Sequence, residues 1–326
     1  MADPVLSVRD LRVEFPTRRD LLVGLDGVSF DIHQGEVLGF VGESGAGKSI
    51  TGAAIMQQIA APGRIAGGEI RLNGQRIDKL SRTGMERIRG RHIGMVFQDP
   101  LTSLNPLMTI GDHLTETIGV HLGLGRRAAR DRAVSLLEEV GIPEPAERLR
   151  SYPHEFSGGQ RQRIVIALAL CAEPELVIAD EPTTALDVSV QAQIIALIRR
   201  LCDTHGTAFM LITHDMGMIA ETADRVAVMY AGRVVEIGRV ADIVAHPAHP
   251  YTQGLIAAIP SLETDAERLR QIPGAMPSLS AIPDGCVFHP RCELADDLCR
   301  TRRPVLAGEG DHRTACHRTA QAEYAP

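Results

Sequence analysis

The chain has 326 residues, 44% of them apolar, and a formal charge of −7, so it is long enough for one large domain plus a smaller one and can fill a core without staples. Arginine supplies 32 of the 34 basic residues, scattered among acids and never massed in a run, which speaks against a broad nucleic-acid footprint, and no nucleic-acid partner is expected.

The opening MADPVLSVRDL lacks a basic stretch followed by an apolar one, and the longest uncharged apolar run, IVIALALCA at 164–172, is far short of a bilayer span. The expectation is a chain that is neither exported nor membrane-crossing by itself, in a reducing compartment where clustered cysteines bind metal more often than they pair. Short β-branched runs separated by glycine-containing turns follow: LSVRDLRVEF, VSFDI, VLGFV, GEIRLN and HIGMVFQ read as strands. From about 99 to 172 the periodicity becomes helical, in GDHLTETIGVHL, ARDRAVSLLEEVGI and GGQRQRIVIALALCA, before strands return in ELVIAD, AFMLIT, RVAVMY and RVVEIG. A helical block inserted into an α/β domain is the simplest reading. HPAHPY at 246–251 opens a third texture, rich in proline and arginine and holding four of the six cysteines, which places a domain boundary near 245: 1–245, then an extension over 246–326.

VLGFVGESGAGKSITGAAIM places G-x-x-x-x-G-K-S at Gly42 to Ser49, after an apolar strand and before a helical run, the context in which that spacing binds phosphate. Gly42, Gly45 and Gly47 allow backbone N–H groups to wrap the phosphates; Lys48 reaches the outer phosphates as a point charge, and Ser49 offers a hydroxyl to Mg²⁺. Glu43, Ser44, Ala46 and Ile50 complete the nucleotide-binding run. Only Lys48 and Lys79 are lysines, so a compact ammonium was kept at 48 against a strong arginine bias. In ELVIADEP an apolar strand ends in two carboxylates: Asp180 is placed to hold Mg²⁺ through water, and Glu181 to orient or deprotonate a hydrolytic water.

HEFSGGQRQR at 154–163 supplies a second anion site. Ser157, Gly158 and Gly159 are expected to open a helix whose first N–H groups are free of capping, with Gln160 beside them. Here the sequence resembles the ATP-binding cassette family, in which this signature completes the ATP site of a partner subunit. The resemblance implies a P-loop α/β core with a RecA-like mixed sheet, an antiparallel β subdomain and an inserted helical subdomain. It also implies, position by position, that Gln98 in MVFQDP is the Q-loop glutamine that senses Mg²⁺, that Asp187 in TTALD sits at the dimer seam, and that His214 in LITHD is the switch histidine reaching the γ-phosphate. Phe15 in LRVEF matches the aromatic residue that stacks on adenine.

FQDPLTSLNPLMTIG, YPHEFSGGQRQR and HPAHPYTQGLIAAIP look like the oligopeptide and dipeptide importer branch, particularly its D-type subunit, over essentially the whole chain. That implies ATP hydrolysis coupled to peptide import at the cytoplasmic face of a bacterial inner membrane. The implied assembly is a heterodimer with a second ATPase subunit, two transmembrane permeases and an extracytoplasmic solute-binding protein. Nickel, glutathione or another small solute of the same branch is the alternative cargo. An ATPase acting on DNA or ribosomes would need a coiled-coil insertion, a second cassette or a basic groove, none of which is present. Cys286, Cys292, Cys299 and Cys316 have spacings too wide for ordinary zinc knuckles, and the resemblance carries the same four-cysteine pattern. Both lead to the expectation of one structural [4Fe–4S] cluster, with Zn²⁺ or four free thiols as the alternatives. Cys171 and Cys202 stand alone in apolar helical stretches and are expected in the core.

Overall fold

The structure is a computed structural model that describes residues 3–18, 20–184, 186–259, 271–308 and 310–319. Two units emerge, each assembled from separated stretches of chain: one from 1–6, 32–37 and 79–212, the other from 7–31, 38–78 and 213–326. In chain order the elements begin with β1 (Leu6–Pro16), β2 (Leu21–Ile32), β3 (Val37–Val41), α1 (Lys48–Ile55), β4 (Arg64–Leu72) and β5 (Gln75–Arg76). Next come α2 (Arg82–Ile88), β6 (Ile93–Val96), α3 (Pro100–Ser103), α4 (Ile110–Leu122), α5 (Arg126–Glu139), α6 (Pro145–Arg148) and α7 (Gly158–Leu170). The chain continues through β7 (Leu176–Asp180), α8 (Val188–His205), β8 (Ala208–Ile212), α9 (Met216–Thr222), β9 (Arg225–Tyr230) and β10 (Arg233–Arg239). It closes with α10 (Val240–Ala245), α11 (Pro250–Ala257), α12 (Asp297–Thr301) and β11 (Arg313–Thr314).

In the first unit β6, β7 and β8 run parallel, β7 in the middle, in the register Ile93 to Leu176 to Ala208. Strand β8 is buried at every position and β7 at all but its last, Asp180. Strands covered on both faces read as continuous apolar runs, which is why ELVIAD and AFMLIT are legible. Helix α7 packs on β6, α3, α4, α5 and α8, and so is the axis of the helical block. It is apolar nearly all round in its second half, with Ile164, Val165, Ile166 and Ala167 all buried. Helix α4 starts at a closed capping box between Thr109 and Asp112 and stops at Gly123, which takes the left-handed conformation at φ 64°. Cys171 and Cys202 are buried, as their apolar surroundings suggest, and burial pushes the Cys171 thiol up to about 12.

The second unit holds a four-stranded sheet in the order β2-β1-β4-β5. It also holds a mixed run in which β3 pairs parallel with β9, β9 antiparallel with β10, and β10 antiparallel with β11. The last pairing, Glu236 to Thr314 and Ile237 to Arg313, stitches the end of the chain onto β10. No helix among the described residues is long and apolar enough to cross a membrane.

Candidate functional site

Strand β3 delivers the chain into the phosphate loop and α1 carries it away, as the spacing predicts. The glycines are steric necessities. A Cβ on Gly42 would lie 2.3 Å from the carbonyl oxygen of Met229, and Gly47, the residue before α1, has φ 104° with Leu25 and Gly232 packed against it. Lys48 is 5% exposed, and its ammonium donates to the carbonyls of Gly42 at 2.8 Å and Glu43 at 3.1 Å. Ser44, Gly45 and Ser49 are exposed, so the loop presents its middle and the first turn of α1 outward. Gly42→Ala is expected to destabilise the nucleotide-free protein by about 2 kcal/mol or more, because a backbone oxygen stands where the methyl must go. A calorimetric melting point equal to wild type would show that the loop yields freely.

At the end of β7, Asp180 is half-buried and Glu181 turns into the left-handed region at φ 47°, a cost that a non-glycine residue bears only when its surroundings fix it. They do. The Glu181 N–H donates to Ile212 O at 2.8 Å, and one carboxylate oxygen accepts from the Gln98 amide at 3.0 Å and the Thr184 hydroxyl at 2.8 Å. Two residues named from sequence, Gln98 and Glu181, are thus brought into direct contact across 83 positions of chain. Thr184 is the third member of the group, and nothing in its sequence position singled it out.

The signature helix corrects one expectation. Ser157 does cap α7: its hydroxyl accepts from the Gln160 N–H, and the Gln160 side chain accepts from the Ser157 N–H, a closed capping box. Only the Gly158 and Gly159 amides of that turn remain for a ligand, since first-turn N–H groups have no partner four residues back. Asp187 caps α8, accepting from Ser189 and Val190, and the Ser189 hydroxyl holds its carboxyl below the usual range. Ala185 lies outside the described residues. Phe15 is half-buried on β1, its ring so close to Gly24 and Gly63 that a Cβ on either would overlap it. His214 follows β8 and is exposed.

The cluster expectation fails. Among the described residues no group of three or more His, Cys, Asp or Glu is placed to hold a metal ion, which removes both the [4Fe–4S] cluster and the Zn²⁺ alternative. Cys286, Cys292, Cys299 and Cys316 do line one pocket with Phe288, but its volume is about 10 Å³, room for roughly one water and not for a cubane. Burial raises the Cys286 and Cys292 thiols and pushes Cys316 up to about 11, so these are neutral sulfurs packed as small apolar groups. Instead the tail packs its aromatic residues onto Tyr230 at the end of β9. Phe288 is buried against Tyr230, Tyr251 and His249, and burial drives His249 down to about 3, leaving a neutral ring.

A family described as ABC transporter matches residues 25–184, and one described as oligopeptide/dipeptide transporter, C-terminal region, matches 235–299. The dipeptide transport ATP-binding protein DppD of Escherichia coli (strain K12) is 46% identical over 314 residues, 96% of each chain. The probable peptide ABC transporter ATP-binding protein y4tR of Sinorhizobium fredii is 46% identical over 321 residues, 98% of this chain and 96% of its own. Among solved structures, the dimeric post-hydrolysis state of the ATP-binding cassette MJ0796 bound to ADP and Pi is 25% identical with a TM-score of 0.65, covering 72% of this chain and 98% of that one. The structure of cbiO1 from Clostridium perfringens, part of the ABC transporter complex cbiONQ, is 29% identical with the same TM-score of 0.65, covering 75% and 92%.

Proposed function

Because the chain belongs to the ABC transporter family, among the ATP-binding subunits of peptide importers, we propose that Gly42 to Ile50 bind ATP and that Glu181 is the base for its hydrolysis. The observation that supports this assignment best is the Glu181 carboxylate, held by Gln98 and Thr184 just past the carboxyl end of a parallel strand. That is where open α/β sheets bind ligands. Those two donors fix the orientation of the carboxylate, the group that would take a proton from the attacking water.

Lys48 would meet the outer phosphates in place of the loop carbonyls it now donates to, Phe15 would stack on the adenine, and His214 would reach the γ-phosphate. The Mg²⁺ that accompanies ATP supplies positive charge at the phosphates. Ser49, Asp180 and Gln98 would hold it. Ser157, Gly158, Gly159 and Gln160 would close over the nucleotide of a partner cassette, with Asp187 at the seam between them.

Membership of this family means a dimeric cassette working with membrane permeases. In finer detail we propose a heterodimer at the cytoplasmic face of the membrane, supplied by an extracytoplasmic solute-binding protein, with the extension beginning near 245. A tagged chain recovered from detergent-solubilised membranes should bring two multi-span proteins and a second ATPase with it. Recovery of the chain alone, or with itself only, would overturn that assembly.

A further inference from the structure

The C-terminal segment has no part in the mechanism above, yet two of its residues end on the phosphate loop. Tyr251 and Arg291 both contact Glu43, across 208 and 248 positions of chain. The Glu43 N–H donates to the Tyr251 hydroxyl at 2.8 Å, and the carbonyl of the same peptide unit, that of Gly42, accepts from Lys48 Nζ at 2.8 Å. A peptide unit is planar, so a hydroxyl that fixes its N–H also fixes the direction of its C=O. Tyr251 itself is fully buried, packed edge-on against Tyr230 at 4.7 Å. Its backbone N–H donates to His249 Nδ1, and the N–H groups of Ala248 and His249 donate to the buried carboxylate of Glu236.

Arg291 is as firmly set. Its side chain is 6% exposed, with Nη1 3.0 Å from both Glu43 carboxylate oxygens, Nε donating to Pro273 O at 2.7 Å, and the guanidinium carbon 5.8 Å from the centre of the Tyr230 ring. Met276 adds a third point of approach, since a Cβ on Gly45 would lie 3.9 Å from its sulfur. A carboxylate on a loop that receives a polyphosphate opposes its ligand by like charge. A desolvated guanidinium paired to it removes that opposition.

We propose that Tyr251 and Arg291 are positioning residues for the phosphate loop: Tyr251 orients the peptide unit on which Lys48 rests, and Arg291 neutralises Glu43 so that the loop accepts ATP. This rests on the reading of Gly42 to Ile50 as the nucleotide site. The test is ATP affinity, by titration calorimetry on the full chain at low temperature, for wild type, Lys48→Ala, Tyr251→Phe, Arg291→Ala and the double variant Glu43→Gln/Arg291→Ala. Arg291→Ala should weaken ATP about tenfold, Tyr251→Phe about fivefold, and the double variant should return to within about threefold of wild type. A disrupted tail would not be repaired by neutralising Glu43, so recovery in the double variant separates charge from packing. Wild-type affinity in Arg291→Ala and Tyr251→Phe, beside loss of binding in Lys48→Ala, would overturn the inference alone. No recovery in the double variant would overturn the role given to Arg291. Wild-type affinity in Lys48→Ala would remove the nucleotide site, and this inference with it.

Discussion

Glu181→Gln is expected to slow ATP turnover by about 10²-fold or more while leaving ATP affinity within about threefold of wild type, because general-base catalysis contributes on that scale and binding does not need it. The substitution is nearly isosteric. Gln has one side-chain oxygen that can still accept from the Gln98 amide and the Thr184 hydroxyl, so the left-handed turn at 181 keeps the contacts that fix it. What disappears is the charge and the capacity to take a proton. A cassette that binds ATP without hydrolysing it should stay in its ATP-closed dimer, since hydrolysis resets it. Phosphate release gives the rate, and size-exclusion chromatography with ATP gives the trapped dimer. Lys48→Ala should differ in kind, losing affinity itself, because the buried ammonium that it removes is the loop's only side-chain cation. Turnover of Glu181→Gln equal to wild type would assign the base elsewhere.

The parallel strands β7 and β8 and the phosphate loop were legible because burial on both faces writes itself as an unbroken apolar run, and because loop chemistry tolerates few residue types. The two-residue strands β5 and β11 are too short to carry a period. Ser157 and Gln160 spell a capping box, S-x-x-Q, and that local rule outweighs the reading of an uncapped helix end. The tail misled for a different reason. Four cysteines count as a ligand set in sequence, but only distances and burial decide whether they act as one, and an aromatic cluster of Tyr230, Tyr251 and Phe288 already supplies the core that a cluster was expected to replace. Contacts such as those of Glu43 with Tyr251 and Arg291 join residues more than 200 positions apart, and no periodicity reports them.

Gly158→Asp should slow ATP hydrolysis at one composite site of the assembled cassette by about 10²-fold or more, while the chain's own phosphate loop binds ATP as before. The site tolerates the change sterically: among the described residues a Cβ at 158 would meet only Leu186, at 3.5 Å, an ordinary contact. Gly159 is the opposite case, with Val190 2.7 Å from its Cβ position, so a substitution there would mix misfolding with function. A carboxylate in the first turn also favours the helix itself through the dipole, so α7 should remain folded. The same carboxylate would stand where phosphate oxygens need the Gly158 and Gly159 amides, and like charge would exclude them. The chain contributes one phosphate loop and one signature, and under the proposed shared site the damage is expected on the nucleotide held by the partner. Mixing Gly158→Asp with intact partner should silence one composite site, and Lys48→Ala the other, so pairing Gly158→Asp with a partner defective in its phosphate loop leaves one working site, and with a partner defective in its signature leaves none. Hydrolysis by the purified single chain that is independent of concentration and of partner, and unchanged in Gly158→Asp, would show that the signature does not act across a dimer.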